Sequence, residues 1–207
     1  MSEHYYSRRP QSLPSRRMLH VELRGQRWRF VTGGGVFSGG RVDPGTRLMA
    51  ETMEIGAEDA ILDLGCGWGA LGIVAARLAP HGRAYLVDVN ERAVALAREN
   101  LRLNEIVNAE VRAGEGTAPY RHLIFDRVLL NPPIRAGAEV VLDLAAQAHA
   151  ALRPGGVLYF VARTRQGART LARDLAKIFP RCQEVERRGG YRLYRAQKSV
   201  APLPWKT

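Results

Sequence analysis

Ala60-Ile61-Leu62-Asp63-Leu64-Gly65-Cys66-Gly67-Trp68-Gly69 is an apolar run that ends in alternating glycines. A run of this kind is typical of a buried strand, and the apolar residues 69–78 that follow are typical of a helix. Glycines between a strand and a helix let the backbone turn tightly and let a ligand approach closer than a Cβ would allow. The N–H groups that open the helix then face that ligand. This stretch therefore predicts an α/β unit that binds a ligand at the end of its first strand.

The alternation of strand and helix continues along the chain. We predict strands at 60–64, 84–87, 109–112, 127–130, 157–161, 182–187 and 191–197, and helices at 69–78, 91–103, 139–152 and 166–178. Such alternation forms a parallel sheet with helices on both faces, so we predict an α/β fold with a Rossmann-like, doubly wound, mostly parallel sheet. The last two strands, joined across Gly189-Gly190, predict an antiparallel hairpin at the C-terminal edge of the sheet.

The residues before this sheet predict an N-terminal elaboration. Residues 1–17 are polar and basic, whereas 19–23 and 27–31 alternate with period 2 and predict a β-hairpin. A glycine-rich loop around Phe37 follows, and then a short helix with Thr46 as a candidate cap. We therefore divide the chain into a basic arm (1–17), a hairpin-and-loop elaboration (18–56) and an α/β domain (57–200) that forms one compact unit with 18–56.

The composition is that of a globular protein with a strongly basic balance. The chain has 207 residues, is 46% hydrophobic and carries a formal net charge of +11. A basic surface favours a polyanionic partner such as RNA or DNA. We find no apolar run long enough to cross a membrane and no leader-like segment at the N-terminus. The sequence thus predicts a cytoplasmic protein without a membrane span, and it leaves monomer and homodimer open.

No metal site is predicted from the cysteines and histidines. Cys66 and Cys182 lie far apart in the sequence, and neither they nor the histidines show metal-ligand spacing. A reduced protein without structural disulfides is expected. Cys66 lies within the glycine loop, where it fits a small space-filling residue better than a nucleophile.

The residues around the glycines indicate what the ligand carries. Gly65-x-Gly67-x-Gly69 is not the G-x-G-x-x-G spacing of dinucleotide sites, and Asp63 before it would repel a phosphate. Asp63 instead suits a ligand with an amine or a sulfonium. The next strand ends in Asp88, and an acid at that place can accept from both hydroxyls of a ribose.

A second motif, Asn131-Pro132-Pro133-Ile134, follows the strand predicted at 127–130. Two prolines cannot continue a strand, because they lack the N–H group that a ladder needs. Asn131 is therefore left at a strand tip, where ligands bind in open parallel sheets. Its side-chain carbonyl can accept from an amine, and the stiff Pro-Pro backbone fixes its direction. The motif predicts a site that holds a planar –NH2 group.

Together these residues resemble the cofactor site of class I S-adenosylmethionine-dependent methyltransferases. The resemblance implies that Gly65-Cys66-Gly67 lines the methionine part of S-adenosyl-L-methionine, with Asp63 near its amino group. It implies that Asp88 takes the ribose hydroxyls and that Val89 packs on the adenine face. Gly114-Glu115, after the third strand of the sheet, would lie near the adenine amine, although Glu115 fits a solvated loop acid equally well.

The motif at 131–134 resembles the [Asn/Asp]-Pro-Pro-[aromatic] motif of amino-group methyltransferases that act on adenine, guanine or glutamine. The resemblance implies that the Asn131 side chain and the Pro132 backbone carbonyl accept from the target –NH2, which is catalysis by positioning. It also places Pro133 and Ile134 against the substrate, and Asn131 beside the cofactor. The aliphatic Ile134 stands where the family usually has a stacking aromatic residue. It favours the guanine-N2 ribosomal RNA enzymes over the adenine and glutamine enzymes.

A longer resemblance covers about residues 4–198. His4-Tyr5-Tyr6-Ser7, Gly35-Val36-Phe37-Ser38 and Arg41-Val42-Asp43-x-Gly45-Thr46-Arg47-Leu48 are similar to the methyltransferase small domain of ribosomal RNA guanine-N2 methyltransferases. Those enzymes usually carry a second, degenerate copy of the domain, which this sequence lacks. Phe37 fits an aromatic that closes over the cofactor or stacks on a flipped base, and it fits a core residue as well.

The sequence therefore predicts a methyltransferase that moves a methyl group from S-adenosyl-L-methionine to an exocyclic amine of RNA, with guanine N2 of ribosomal RNA as the expected acceptor. Arginines of residues 163–173 would flank Asn131 and hold phosphates, or else form a solvated charged face. The alternatives are a glutamine or small-molecule amine methyltransferase and a non-catalytic RNA-binding module of the same fold.

Overall fold

The computed structural model describes Arg8 and residues 15–38, 40–132 and 137–200. The strands are β1 Arg16–Leu23, β2 Gln26–Gly33, β3 Ala60–Leu64, β4 Arg83–Asp88, β5 Ala109–Ala113, β6 Phe125–Leu130, β7 Leu152–Arg163, β8 Arg181–Arg188 and β9 Tyr191–Gln197. The α-helices are α1 Pro44–Thr52, α2 Ala70–Leu78, α3 Glu91–Leu103, α4 Ala138–Ala151 and α5 Ala168–Ile178.

Seven of these strands form one sheet in the order β5-β4-β3-β6-β7-β9-β8. The neighbours from β5 to β7 are parallel, and β9 pairs antiparallel with both β7 and β8. The predicted mostly parallel sheet with an antiparallel C-terminal hairpin is therefore confirmed. β1 and β2 form the separate antiparallel hairpin that the sequence predicts.

The chain enters the sheet at β3 in the middle, runs outward to β5, and then returns to β6 on the other side of β3. This reversal is the switch point at which open α/β sheets bind ligands, outside the carboxyl ends of the strands. The glycine loop follows β3 and Asn131 follows β6. The two motifs that the sequence singles out consequently lie next to each other.

The core has one layer on each face of the sheet, because successive strand residues point to opposite faces. On one face Ile61 of β3 packs in a cluster with residues of α1, α2, α3 and the β1-β2 hairpin. On the other face Leu62 and Leu64 of the same strand pack with residues of α4 and α5.

Asn100, on α3, ties the hairpin to the sheet. Its Oδ1 accepts from Val31 N at 2.6 Å, and its Nδ2 donates to Val31 O at 2.9 Å and to Trp68 O at 2.8 Å. One buried amide thus fixes β2 and the glycine loop against the same helix, and each of its polar atoms has a partner, as burial requires.

The first helix departs from the sequence prediction. α1 begins at Pro44, and its cap is Asp43, whose side chain accepts from Gly45 N and Thr46 N. The prediction of Thr46 as the cap is wrong, because Pro44 is well suited to a first helical position and Asp43 before it to the cap. Thr46 is left to face the end of β6.

Candidate active site

A cavity of about 240 Å³ opens at the carboxyl ends of the central strands. The residues predicted from the sequence that line it are Phe37, Gly65, Gly67, Asp88, Val89, Gly114, Glu115 and Asn131. A smaller cavity of about 30 Å³ adjoins it, and Asp63 and Cys66 contribute to its walls. Phe37, Gly65, Gly67 and Asn131 line both. The sheet therefore brings the described residues that the sequence assigns to the cofactor together with Phe37 and Asn131 around one space, whereas Pro132 lines neither cavity.

The glycine loop is shaped by bonds to the neighbouring strand. Gly65 N and Cys66 N both donate to Val87 O at 2.9 Å, and Gly67 N donates to Asp88 Oδ2 at 2.7 Å. Gly67 has a φ of +56° with open space where a Cβ would stand. A side chain there would be strained and would project into the cavity, so this position favours glycine.

Asp88 accepts backbone hydrogen bonds through both of its carboxylate oxygens. Oδ2 accepts from Gly67 N, and Oδ1 accepts from Asn90 N at 2.8 Å. A carboxylate has further lone pairs, so Asp88 can hold the loop and still accept from a ligand hydroxyl. Burial raises the pKa of Asp88, and hydrogen bonds from Asn90, Gly67 and Val89 work against that rise.

Asp63 is 2% exposed, and its Oδ2 accepts from Gly72 N of α2 at 2.7 Å. Burial, with a smaller contribution from the charge of Asp88, raises the pKa of Asp63 to about 7. A buried carboxylate with one hydrogen bond and no cation is unstable as an anion, and a ligand cation beside it would favour its charged form. The role of Asp63 beside a ligand amino group stays a prediction. The buried environment of this carboxylate is compatible with that role.

Cys66 is not a reactive thiol in this setting. Burial raises its pKa well above the ordinary value, and the charges of Asp88 and Asp63 add to the effect. Since the thiolate is the nucleophilic form, this environment agrees with a space-filling residue.

α4 supplies a wall of the large cavity that the sequence did not reveal, through Val140, Asp143, Leu144 and Gln147. Gln147 Oε1 accepts from Thr117 N at 2.9 Å, and Gln147 Nε2 donates to Asp143 Oδ2 at 2.7 Å. Gln147 therefore joins α4 to the loop after β5, which carries Glu115. The polar pair Asp143 and Gln147, spaced i and i+4 within a mostly apolar helix, is the signal that could have indicated this wall.

Asn131 at the tip of β6 is held by its amide nitrogen. Its Nδ2 donates to Thr46 Oγ1 at 2.9 Å and to Asp43 Oδ2 at 3.2 Å. No described residue donates to its Oδ1. Pro132 is buried, whereas Pro133 and Ile134 lie outside the described residues, as does His4-Tyr5-Tyr6-Ser7. The side-chain carbonyl of Asn131 is thus left available, and its role as the acceptor for a target amine stays a prediction.

Asp43 and Tyr191 complete the surroundings of Asn131, and sequence reasoning gave neither a role in the site. Tyr191 OH donates to Asp43 Oδ1 at 3.0 Å, across a separation of 148 residues. Asp43-Pro44-Gly45 could have been read as a helix start, since Asp is a favoured cap and Pro a favoured first residue. No local pattern marks Tyr191, because its contact depends on where β9 lies in the sheet.

The loop that carries Phe37 is fastened to the cofactor side of the cavity. Trp68 Nε1 donates to Phe37 O at 3.1 Å, and Asn90 Nδ2 donates to Gly35 O at 2.7 Å. The Phe37 side chain is half-buried and lines both cavities. It is therefore placed to touch a ligand, although a ligand contact stays a prediction.

In the described part of the chain, the acidic, cysteine and histidine side chains form no cluster that could hold a metal ion. No helix among the described residues is both long enough and apolar enough to span a membrane.

The methyltransferase small domain family model matches residues 27–195. The uncharacterized protein YbxB of Bacillus subtilis (strain 168) is 34% identical over 200 residues, which are 96% of this chain and 100% of that protein. The ribosomal RNA large subunit methyltransferase G of Shewanella loihica is 32% identical over 177 residues. That match covers 80% of this chain and only 43% of the Shewanella protein.

Among solved structures, the Thermus thermophilus 16S rRNA N2 G1207 methyltransferase (RsmC), in complex with AdoMet and guanosine, matches with a TM-score of 0.78. It is 29% identical, and the match covers 90% of this chain and 52% of that one. The chain therefore spans about half the length or less of these two ribosomal RNA methyltransferases.

Proposed function

This chain belongs to the methyltransferase small domain family and uses S-adenosyl-L-methionine, and we propose that it methylates the exocyclic amine N2 of guanine in ribosomal RNA. The observation that carries the proposal is the orientation of Asn131. Its amide nitrogen is bonded to Thr46 and Asp43, so its carbonyl remains to accept from an amine beside the cofactor cavity.

The described residues fit the cofactor. The glycine loop leaves open space at Gly65 and Gly67. In the proposed arrangement Asp88 accepts from the ribose hydroxyls, and Asp63 faces the amino group. Val89 borders the adenine, and Gly114-Glu115 its amine. Bound S-adenosyl-L-methionine supplies the methyl group, and the residues of the site orient the two reactants.

The reaction needs little from the protein besides positioning. Asn131 Oδ1 and the Pro132 carbonyl would accept hydrogen bonds from the two amine hydrogens and so orient the nitrogen lone pair. Bound cofactor would supply the methyl carbon to that nitrogen and keep the electron pair of the broken carbon–sulfur bond on its sulfur. The nitrogen then releases one proton to solvent.

Support for RNA comes from the edge of the sheet beside Asn131. Arg187 and Arg188 at the end of β8, and Arg165 after β7, are exposed and form no ion pair with a described residue. Arg163, at the end of β7, pairs in register with Tyr191, and Tyr191 with Arg188. Strands lie about 4.8 Å apart, so these cations follow the same edge within reach of successive phosphates.

The choice of guanine N2 is supported by Ile134 and by the activity of the Thermus relative, a 16S rRNA N2 G1207 methyltransferase. A glutamine or small-molecule amine acceptor would not account for the exposed arginines of the basic edge, which are suited to phosphates. A non-catalytic module would not need the cavity-facing carbonyl of Asn131.

The test is nucleoside mass spectrometry of ribosomal RNA from a strain that lacks the gene. We expect one N2-methylguanosine to be lost, and we expect the purified chain with S-adenosyl-L-methionine to restore it on that RNA. If the ribosomal RNA nucleosides are unchanged and the purified chain transfers no methyl group to that RNA, the proposal is wrong.

A further inference from the structure

Asp43 has more partners than a helix cap needs. Its Oδ2 accepts from Gly45 N at 2.8 Å, from Thr46 N at 3.1 Å and from Asn131 Nδ2 at 3.2 Å. Its Oδ1 accepts from Tyr191 OH at 3.0 Å. The cap contacts explain the bonds to α1, but they do not explain why a carboxylate that is 9% exposed joins β6 to β9.

We propose that Asp43 and Tyr191 are positioning residues for methyl transfer, which orient the Asn131 amide and strengthen its carbonyl as an acceptor for the target amine. The proposal rests on the proposed function, because it concerns how the same site holds its substrate. Neither residue touches the reacting atoms.

Orientation follows from the donors and acceptors. The two ends of an amide side chain have nearly the same shape, so packing alone does not decide which end faces the cavity. An ionised carboxylate only accepts hydrogen bonds. Asp43 therefore requires the nitrogen of Asn131 on its own side, which directs the oxygen away from it, into the cavity that Asn131 lines.

Strengthening follows from the charge. A hydrogen bond from an amide nitrogen to a carboxylate is charge-assisted, and hydrogen bonds in a chain polarise one another. Electron density in the Asn131 amide moves toward Oδ1, which then accepts more strongly. The negative charge of Asp43 also favours the positive charge that develops on the amine nitrogen during transfer.

Tyr191 fixes the direction of the Asp43 carboxylate. It is 7% exposed, opens β9 and lies under the Arg163 guanidinium, 5.1 Å from the centre of its ring. Burial raises the pKa of Tyr191, with Asp43 adding to the effect, so the hydroxyl keeps the proton that it donates. The Tyr191 side chain is thus held by the Arg163 guanidinium on its ring and by Asp43 at its hydroxyl.

The test compares Tyr191→Phe and Asp43→Asn with Tyr159→Phe. Tyr159 is a matched control, because it is buried in β7 and its hydroxyl accepts from Glu54 N at 3.1 Å, away from Asn131. We expect kcat to fall about 3- to 10-fold in Tyr191→Phe, the value of one hydrogen bond. We expect a fall of about 10²-fold in Asp43→Asn, from lost charge and a misdirected amide. KM for both substrates should change little, and Tyr159→Phe should keep the wild-type kcat.

A second measurement does not depend on activity. The side-chain amide protons of Asn131, observed by nuclear magnetic resonance on the ¹⁵N-labelled full chain, should exchange slowly with water in the wild type. Their exchange rate should rise in Asp43→Asn and should equal the wild-type rate in Tyr159→Phe. If wild-type protein transfers methyl groups and Tyr191→Phe and Asp43→Asn match its kcat, the positioning roles are wrong. If no transfer occurs but the amide protons respond as expected, the proposed substrate is wrong and the orientation of Asn131 stands.

Discussion

On the cofactor side of the cavity, formed by the glycine loop and the ends of β4 and β5, Gly67 donates directly to Asp88, 21 residues away. On the acceptor side, formed by the end of β6, α1 and β9, Asn131 is held by Asp43, 88 residues earlier, and Asp43 by Tyr191, 148 residues later. The first side is assembled from adjacent strands with one helix between them. The second is assembled only when the whole sheet is complete.

This difference suggests that the two sides can be damaged separately. The cofactor side depends on a loop with glycines at positive φ, on the buried Asp63 and on the half-buried Asp88. The acceptor side depends on a chain of hydrogen bonds between remote segments. A change on one side should therefore affect mainly binding of the cofactor, and a change on the other mainly the rate of transfer.

The largest expected effect is on the acceptor side. In Asn131→Ala the amine loses its side-chain acceptor, so transfer should fall by at least about 10²-fold. Binding of S-adenosyl-L-methionine, measured by calorimetry, should stay within about threefold of the wild type, since one hydrogen bond is worth about 1 kcal/mol. Asn108→Ala is the control, because Asn108 bonds to Ala76, Ala79 and Gly82 away from the cavity. Transfer by Asn131→Ala at the wild-type rate would remove Asn131 from the mechanism.

The matching change on the cofactor side is Asp88→Asn. Each Asp88 oxygen accepts from a backbone N–H. The side-chain –NH2 group that the substitution introduces would face one of these N–H groups and could not accept from it. Binding of S-adenosyl-L-methionine should weaken about 10- to 100-fold, as expected for the loss of a charged hydrogen bond. Asp126→Asn is the control, because Asp126 lies at the amino end of β6 and accepts from Ala60 N there. Unchanged affinity in Asp88→Asn would contradict the division between the two sides.

The cofactor side and the acceptor side also differ in how well the sequence predicts them. Gly65, Gly67, Asp88 and Val89, which local motifs single out, line one cavity, because a strand, its turn and the next strand fix one another over a short separation. The mostly parallel sheet with an antiparallel C-terminal edge was also predictable, from the alternation of elements. Asp43 and Tyr191 were not, because a hydrogen bond over 148 residues depends on the final register of β9 beside β7.

A smaller effect is expected at the basic edge. Arg187→Ala with Arg188→Ala should weaken RNA binding about tenfold and reduce the slope of log K against log salt by about 1 to 2. Arg121→Ala with Arg181→Ala removes the same charge from exposed positions near the opposite ends of the strands, and should leave binding nearly unchanged. Filter binding over a salt series measures both. Equal effects in the two pairs would mean that charge matters but its place does not.

The smallest expected effect is a pH dependence on the cofactor side. The pKa of Asp63 is about 7 in the cofactor-free chain, so its protonated form contributes stability that is complete below about pH 4 and is lost as the pH rises through 7. A cation placed beside Asp63 lowers that pKa and expels the proton. Affinity for S-adenosyl-L-methionine should therefore rise by at most about tenfold in all between pH 5 and 7, which corresponds to lowering that pKa by about one, and then level off.

Calorimetry in two buffers with different ionisation enthalpies would count the released protons. We expect up to about one proton per cofactor at pH 6 in the wild type and close to none in Asp63→Asn. Proton release that persists in Asp63→Asn would assign it to another group, and Asp88, whose pKa is also raised, would be the next to test.

The position of Tyr191 has a consequence for the time at which the protein becomes active. Proteins are made from the N-terminus, and Tyr191 opens β9, which is the last described strand to be synthesised. A nascent chain that has completed β3 to β6 already contains Gly67, Asp88 and Asn131. On the role proposed for Tyr191, its Asp43 would stay unaligned until β9 pairs with β7. The chain would thus acquire a place for its cofactor before it acquires an aligned acceptor site. An unfinished copy would bind the methyl donor without transferring the methyl group.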